Sequence, residues 1–251
     1  MMNKEWFIDY AEHAVRVINI ETRWLELRGW ITKNGRHILI GDDGGGSSGS
    51  GAGKSIDNSV KSGIIEENGE PKPITKITDK AIASVPKVKI SGYTDEQCSK
   101  IQEQHKELLK YARDNNDCNE VAFVFDSSLQ VRKEFKGSDD RLDFGQNFYD
   151  SDLMIMHNHP RNSSYSFTDI VEFVGNERIK TLTIVKNNGN VETLSKLKDF
   201  DKLSLLRSLQ KAENKVLKAT KKGEYRDNEY RKVVNKFLDN QQKGGLFEWK
   251  K

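Results

Sequence analysis

A chain of 251 residues suffices for one medium domain with extensions, or for two small domains. Charged residues (31%) nearly equal hydrophobic ones (35%), so part of the chain is expected to be linker or exposed helix rather than core. The two cysteines, Cys98 and Cys118, have no CxxC context, which excludes a disulfide framework and a thiolate zinc site; no apolar run approaches the roughly 20 residues of a membrane span. A reducing, cytoplasmic setting is therefore expected. The opening MMNKEWFIDYAEH has early acidic residues and no unbroken apolar core, so it does not read as a secretory signal.

In chain order, Trp6, Ala11, Ala14, Val15, Ile18 and Trp24 recur at helical spacing and predict a helix over 4–28. GWITKNGRHILIG (29–41) predicts a hairpin turning at Asn34-Gly35. GDDGGGSSGSGAGKS (41–55) reads as a flexible Gly/Ser linker, and 56–92 as an irregular segment with three prolines. The expected division is a helix–hairpin module over 1–41, a flexible or irregular stretch over 42–92, and an ordered domain over 93–251.

In that last part, Thr94 followed by Asp95 and Glu96 opens a helix to 116, with Ile101, Leu108, Leu109 and Ala112 on its apolar side. Glu120–Phe125 and Leu129–Phe135 predict two strands. Leu153–Met156 predicts a third strand that runs into His157. Phe167–Asn176 predicts a helix, Ile179–Val185 and Val191–Leu194 two strands around Asn188-Gly189, and 199–241 two helices broken near Gly223. This order predicts an α/β fold, a mixed sheet flanked by helices. From Lys196 to Lys251 there are sixteen Lys and Arg against eight Asp and Glu, a net of +8, which leaves about −5 on the rest of the chain. Such a basic tail can meet nucleic acid, although a charged helix face is more often simply solvated.

The chemistry concentrates in LMIMHNHPRNSSYSFTDI (153–170). His157 and His159 stand at i and i+2 at a strand end, so both imidazoles can point to one side. Pro160 ends the strand. Ser166 and Asp169, three apart in a helical first turn, share one face turned back toward it. Two imidazoles and a carboxylate at one point form the nitrogen and oxygen set of a catalytic zinc with an open fourth position.

His157-Asn158-His159-Pro160 and Ser166-Phe167-Thr168-Asp169 resemble the signature of the JAMM (MPN+, JAB) metallopeptidases, and the HNHP form is similar to the bacterial RadC-type proteins. The resemblance covers about 94–195 and implies a JAMM-like fold of the cytidine-deaminase-like kind. It also implies zinc held by His157, His159 and Asp169, a general-base Glu on an earlier strand, and Ser166 polarising the carbonyl. Glu120, which opens the strand Glu-Val-Ala-Phe-Val-Phe, is the choice for that base; Asp126 and Glu134 compete with it. Six residues separate His159 from Ser166 where the family pattern has seven, a difference that could tighten the turn or tilt Asp169 away. The NGRHILIGDDGGG-like segment beside this module resembles tail regions of phage minor-head proteins. That resemblance implies a mobile-element origin, phage head proteins as partners and a possible virion association.

The implied activity is zinc-dependent hydrolysis of peptide or isopeptide bonds, with a protein or peptide substrate and no membrane. The alternative is a non-catalytic phage structural or interaction module that keeps the fold. Ser166 and Asp169 also suit plain helix capping. Three other motifs fail on spacing. An HNH nuclease disperses its residues over a ββα unit rather than placing them consecutively. GSGAGKS has Ser48 where a P-loop needs glycine. Neither cysteine fits a zinc deaminase.

Overall fold

Residues 37–40, 73–138, 141–145, 152–219 and 227–251 are described in a computed structural model. The helix expected over 4–28, the first arm of the hairpin, the 41–55 linker with its P-loop-like stretch, and the break near Gly223 lie outside these residues.

Alternating side chains build a sheet with two buried faces. The strands are β1 (His37–Ile40), β2 (Val121–Phe125), β3 (Val131–Lys136), β4 (Arg141–Gly145), β5 (Leu153–His159), β6 (Ile179–Lys186), β7 (Val191–Lys196) and β8 (Phe247–Lys250). The helices are α1 (Asp79–Ser84), α2 (Asp95–Asn115), α3 (Phe167–Gly175), α4 (Lys202–Ala219) and α5 (Asp227–Lys243). Six strands form one mixed sheet in the order β3-β2-β5-β6-β7-β8, in which only β5 and β6 run parallel. The architecture is α/β, a mixed sheet flanked by helices, as the element order predicts. β1 and β4 pair separately, antiparallel. Neither β4 nor β8 stands out in the sequence.

On one face, Ala122, Val124, Leu153, Ile155, Leu182, Ile184 and Leu194 meet the apolar sides of α3, α4 and α5. On the other, Val121, Phe123, Phe125, Met154 and Met156 meet α2 through Ile101, Leu108 and Leu109. This split follows from the two-residue period of a strand. Helix α2 begins at a capping box, with Thr94 accepting from Gln97 N–H and Gln97 accepting from Thr94 N–H. β3 is the edge strand, largely exposed, and its Arg132, Lys133, Glu134 and Lys136 discourage pairing with another chain. At the other edge β8 covers β7, burying Phe247 and Trp249.

Packing crosses both of the expected domain boundaries. Ile77, Ile82, Val85 and Ile90 are buried in the α2-side core, so the irregular segment is docked from at least Ile77 onward. Short α1 seats against the β6–β7 turn. Gly189 has φ +93°, and a Cβ there would lie 2.3 Å from the Ala81 carbonyl oxygen, so only glycine fits. At the first boundary β1 pairs with β4, which lies in the second half of the chain.

Candidate metal centre

Strand β5 runs three residues beyond Met156, where the apolar run ends, and carries both histidines within its last three positions. Parity puts His157 and His159 on the same face as Leu153 and Ile155, toward α3. β5 and the following β6 are parallel, so the chain must cross over between them, and α3 is that crossover. The first turn of α3 therefore stands above the carboxyl end of β5, where open α/β sheets bind their ligands. On the other side of β5, Ala122 pairs with His157. Continuing that antiparallel register sets Glu120 opposite His159 and on the same face.

The four groups meet with no exposed surface: Glu120, His157, His159 and Asp169 are each 0% exposed. His157 Nε2 lies 2.9 Å from His159 Nε2. Asp169 places Oδ1 3.6 Å from His157 Nε2 and Oδ2 3.6 Å from His159 Nε2. Glu120 Oε1 is 4.0 Å from His157 Nε2. One donor atom each from Glu120, His157 and His159 falls within 4.8 Å of the others. Burial pushes the His157 imidazole down to about 3. Burial also holds His159 well below its ordinary value, helped by His157, Arg231 and Lys186. Both rings are therefore neutral near pH 7, and 3.6 Å is too long for a hydrogen bond to the carboxylate. Neutral imidazoles and carboxyl groups gathered at one buried point could hold a metal ion.

The distances fit a metal. With Zn–N and Zn–O bonds near 2.0–2.2 Å, neighbouring ligand atoms of a tetrahedron lie about 3.3–3.5 Å apart. The His157–His159 separation falls a little under this and the two His–Asp169 separations a little over. Glu120 stands further out, 4.0 Å from His157 Nε2, yet it also groups with the two imidazoles as a set that could hold an ion.

Supporting contacts hold the set in place. His159 Nδ1 faces Ser163 Oγ at 2.8 Å and the Ser163 carbonyl at 3.3 Å. The carbonyl can only accept, and with Nδ1 protonated the Nε2 lone pair would point into the centre. Among the described residues His157 Nδ1 has no hydrogen-bond partner. Asp169 Oδ2 accepts from Ser166 N–H at 2.7 Å, and Ser166 Oγ accepts from Asp169 N–H at 3.1 Å. The capping reading of Ser166 and Asp169 thus holds, and the cap itself aims Asp169 at the histidines. The six-residue loop does not tilt Asp169 away.

Asn158, between the histidines, faces the other way. Its Oδ1 accepts from Val121 N–H at 2.7 Å, and its Nδ2 donates to the Asn119 carbonyl and to Asn187 Oδ1. Asn187 in turn donates to the Thr75 and Cys118 carbonyls. This web fixes the backbone on both sides of Glu120. Sequence reasoning passed over Ser163, Asn158 and Asn187. The only signal for them was the unusual density of Asn and Ser around the HNHP run.

The rival bases are elsewhere. Asp126 sits at the far end of β2, where Oδ1 accepts from Ser128 and Gln130 and Oδ2 pairs with Arg132 at 2.7 Å. Those bonds, chiefly from the Ser128 hydroxyl, pull its pKa down to about 2. Glu134 is exposed on β3 and pairs with Phe123, whose side chain belongs to the α2-side core.

No family model, curated protein or solved structure matches this chain. The function therefore has to be argued from the centre itself. Among the described residues no helix is long and apolar enough to cross a membrane.

Proposed function

We propose that this protein is a zinc-dependent hydrolase of the JAMM type, cleaving peptide or isopeptide bonds with a metal-activated water. The observation that carries the reading is the convergence of His157 Nε2, His159 Nε2 and both Asp169 oxygens within 3.6 Å contacts at the carboxyl end of β5. His157, His159 and Asp169 would hold the ion. When bound, zinc supplies a Lewis acid and brings the pKa of its water toward about 7. Glu120, buried beside the histidines, takes the proton of the attacking water and returns it to the leaving amine. Ser166 opens α3 next to Asp169, and donating its hydroxyl to the substrate carbonyl is the role given it by the resemblance of Ser166-Phe167-Thr168-Asp169 to that family.

The complete enclosure of all four groups favours a second reading, a non-catalytic module that keeps the metal as a structural brace. One experiment separates the two. Purified protein is assayed for zinc and then incubated with linked ubiquitin-like and peptide substrates, with and without a chelator. The hydrolase reading expects about one zinc per chain and chelator-sensitive cleavage. Zinc at that ratio together with a chelator-induced loss of folding, and no cleavage of any substrate, supports the brace instead.

A further inference from the structure

The basic C-terminal region is not absorbed by the metal centre, and its charge is concentrated on one helix. α4 (Lys202–Ala219) contains five basic residues and one acid, Glu213. Glu213 is buried at 4% exposure and faces inward with Leu206, Leu209 and Val216. Arg207, Lys211, Lys215 and Lys218 are all exposed. At about 100° per residue they fall within an arc of about 80°, a stripe about 16 Å long. Ser204 lies in the same arc and Asn214 about 20° outside it. Among the described residues none of the four basic side chains enters an ion pair.

An ordinary solvated helix in this protein looks different. On α2 the lysines at 106 and 110 each have a glutamate three residues earlier, at 2.7 Å and 2.8 Å. On α5 Lys232 pairs with Glu229 at 2.6 Å. Like charges at i, i+4 destabilise a helix by a few tenths of a kcal/mol, so the α4 stripe carries a small cost that an external polyanion would offset. At the start of the same helix, Lys180, Lys196, Lys198 and Lys202 line a cleft of about 530 Å³ together with Glu177 and Asp199, and Lys202 pairs with Glu177 at 3.3 Å.

We propose that the exposed stripe Arg207, Lys211, Lys215 and Lys218 of α4 binds the phosphate backbone of double-stranded nucleic acid without reading its sequence. A protein partner would need an apolar or aromatic centre to the interface, and the stripe has only small polar residues between its charges. Single strands are held by stacking on aromatic rings, and none lies in this arc. Cationic side chains alone suit the phosphates of a duplex, about one negative charge per 1.7 Å of axis. This inference does not depend on the hydrolase reading.

The test is fluorescence anisotropy of the full chain with a labelled duplex of arbitrary sequence, titrated across salt concentrations. Each phosphate contact contributes about −0.9 to the slope of log K against log salt, so four contacts weaken binding roughly a hundredfold between about 50 and 200 mM. Replacing Arg207, Lys211, Lys215 and Lys218 together with Gln, a good helix former, is expected to abolish most of that slope. Far-UV circular dichroism and zinc content should stay at the wild-type level. Should the quadruple variant fold poorly, Lys211→Gln with Lys215→Gln is expected to lose about half the slope. An unchanged slope in either folded variant overturns the proposal. So does wild-type protein that binds polyglutamate as tightly as the duplex, or that fails to bind duplex even at the lowest salt.

Discussion

Among the described residues, histidine is buried in two places, one on each face of the sheet, and burial acts on them alike. His105 on α2 and His157 on β5 are both pushed down to about 3 by desolvation. Their surroundings differ. His105 Nε2 meets one neutral hydroxyl, Thr183 Oγ1 at 3.0 Å, under the apolar side of α2. His157 meets a second imidazole and two carboxylates. Burial and a depressed pKa therefore do not distinguish a site from a core residue. Convergence of donor atoms from separate elements does, because such a group could hold a cation and a lone histidine could not.

The sharpest way to break the comparison is to delete ligands on one face and not on the other. His157→Ala with His159→Ala is expected to abolish zinc binding and all hydrolysis, while His105→Gln retains about one zinc per chain by elemental analysis. Equal metal in the histidine double variant and the wild type would refute the centre. Next in size is the division of labour between the two carboxylates. Asp169→Asn should lose the metal, whereas Glu120→Gln, nearly isosteric, should keep it and lower the rate about 10²–10⁴-fold. If Glu120→Gln cleaves at the wild-type rate, Glu120 is not the base. If it loses zinc instead, Glu120 is a ligand.

A smaller effect is expected one contact further out. Ser163→Ala removes the hydroxyl facing His159 Nδ1 but leaves the carbonyl, so metal affinity should fall about 10-fold and no more than 100-fold in competition with a chromogenic chelator. No change would mean that the carbonyl alone orients the ring. The smallest effect at neutral pH belongs to His105. Its folded pKa is depressed, so the stability it contributes is full above its unfolded value near 6.5 and is lost as pH falls toward about 3. His105→Gln should therefore flatten the acid limb of the unfolding curve in that window while changing little at pH 8. An acid limb of unchanged steepness would show that His105 does not contribute to acid unfolding.

The signals readable in the sequence were the local ones. The apolar run Leu153–Met156 leading into His157, the i, i+2 spacing of His157 and His159, the stop at Pro160 and the Ser166–Asp169 spacing depend only on neighbours along the chain, and the fold realises each of them. Asn188-Gly189 marked its turn for the same reason, since Gly189 adopts a positive φ. β8 was not legible, because Phe247 and Trp249 become strand residues only by pairing with β7. The docking of the segment from Ile77 to Ile90 was hidden in the same way. Its scattered apolar residues show no period and acquire meaning only against α2 and the β6–β7 turn.

By itself the sequence determined the class of fold, the two imidazoles on one face and the helix cap that carries Asp169. These follow from strand and helix periodicities, which the chain carries locally. Only the tertiary structure decided which carboxylate joins them. Along the chain Glu120, Asp126 and Glu134 compete, each an acid beside or within a strand, and the choice of Glu120 rests on its place at the start of one. Antiparallel register between β2 and β5 places Glu120 across from His159, whereas Asp126 is committed to a turn and Glu134 lies on the exposed edge. Register is a relation between strands some thirty residues apart, fixed by which faces both can bury, and no local pattern encodes it.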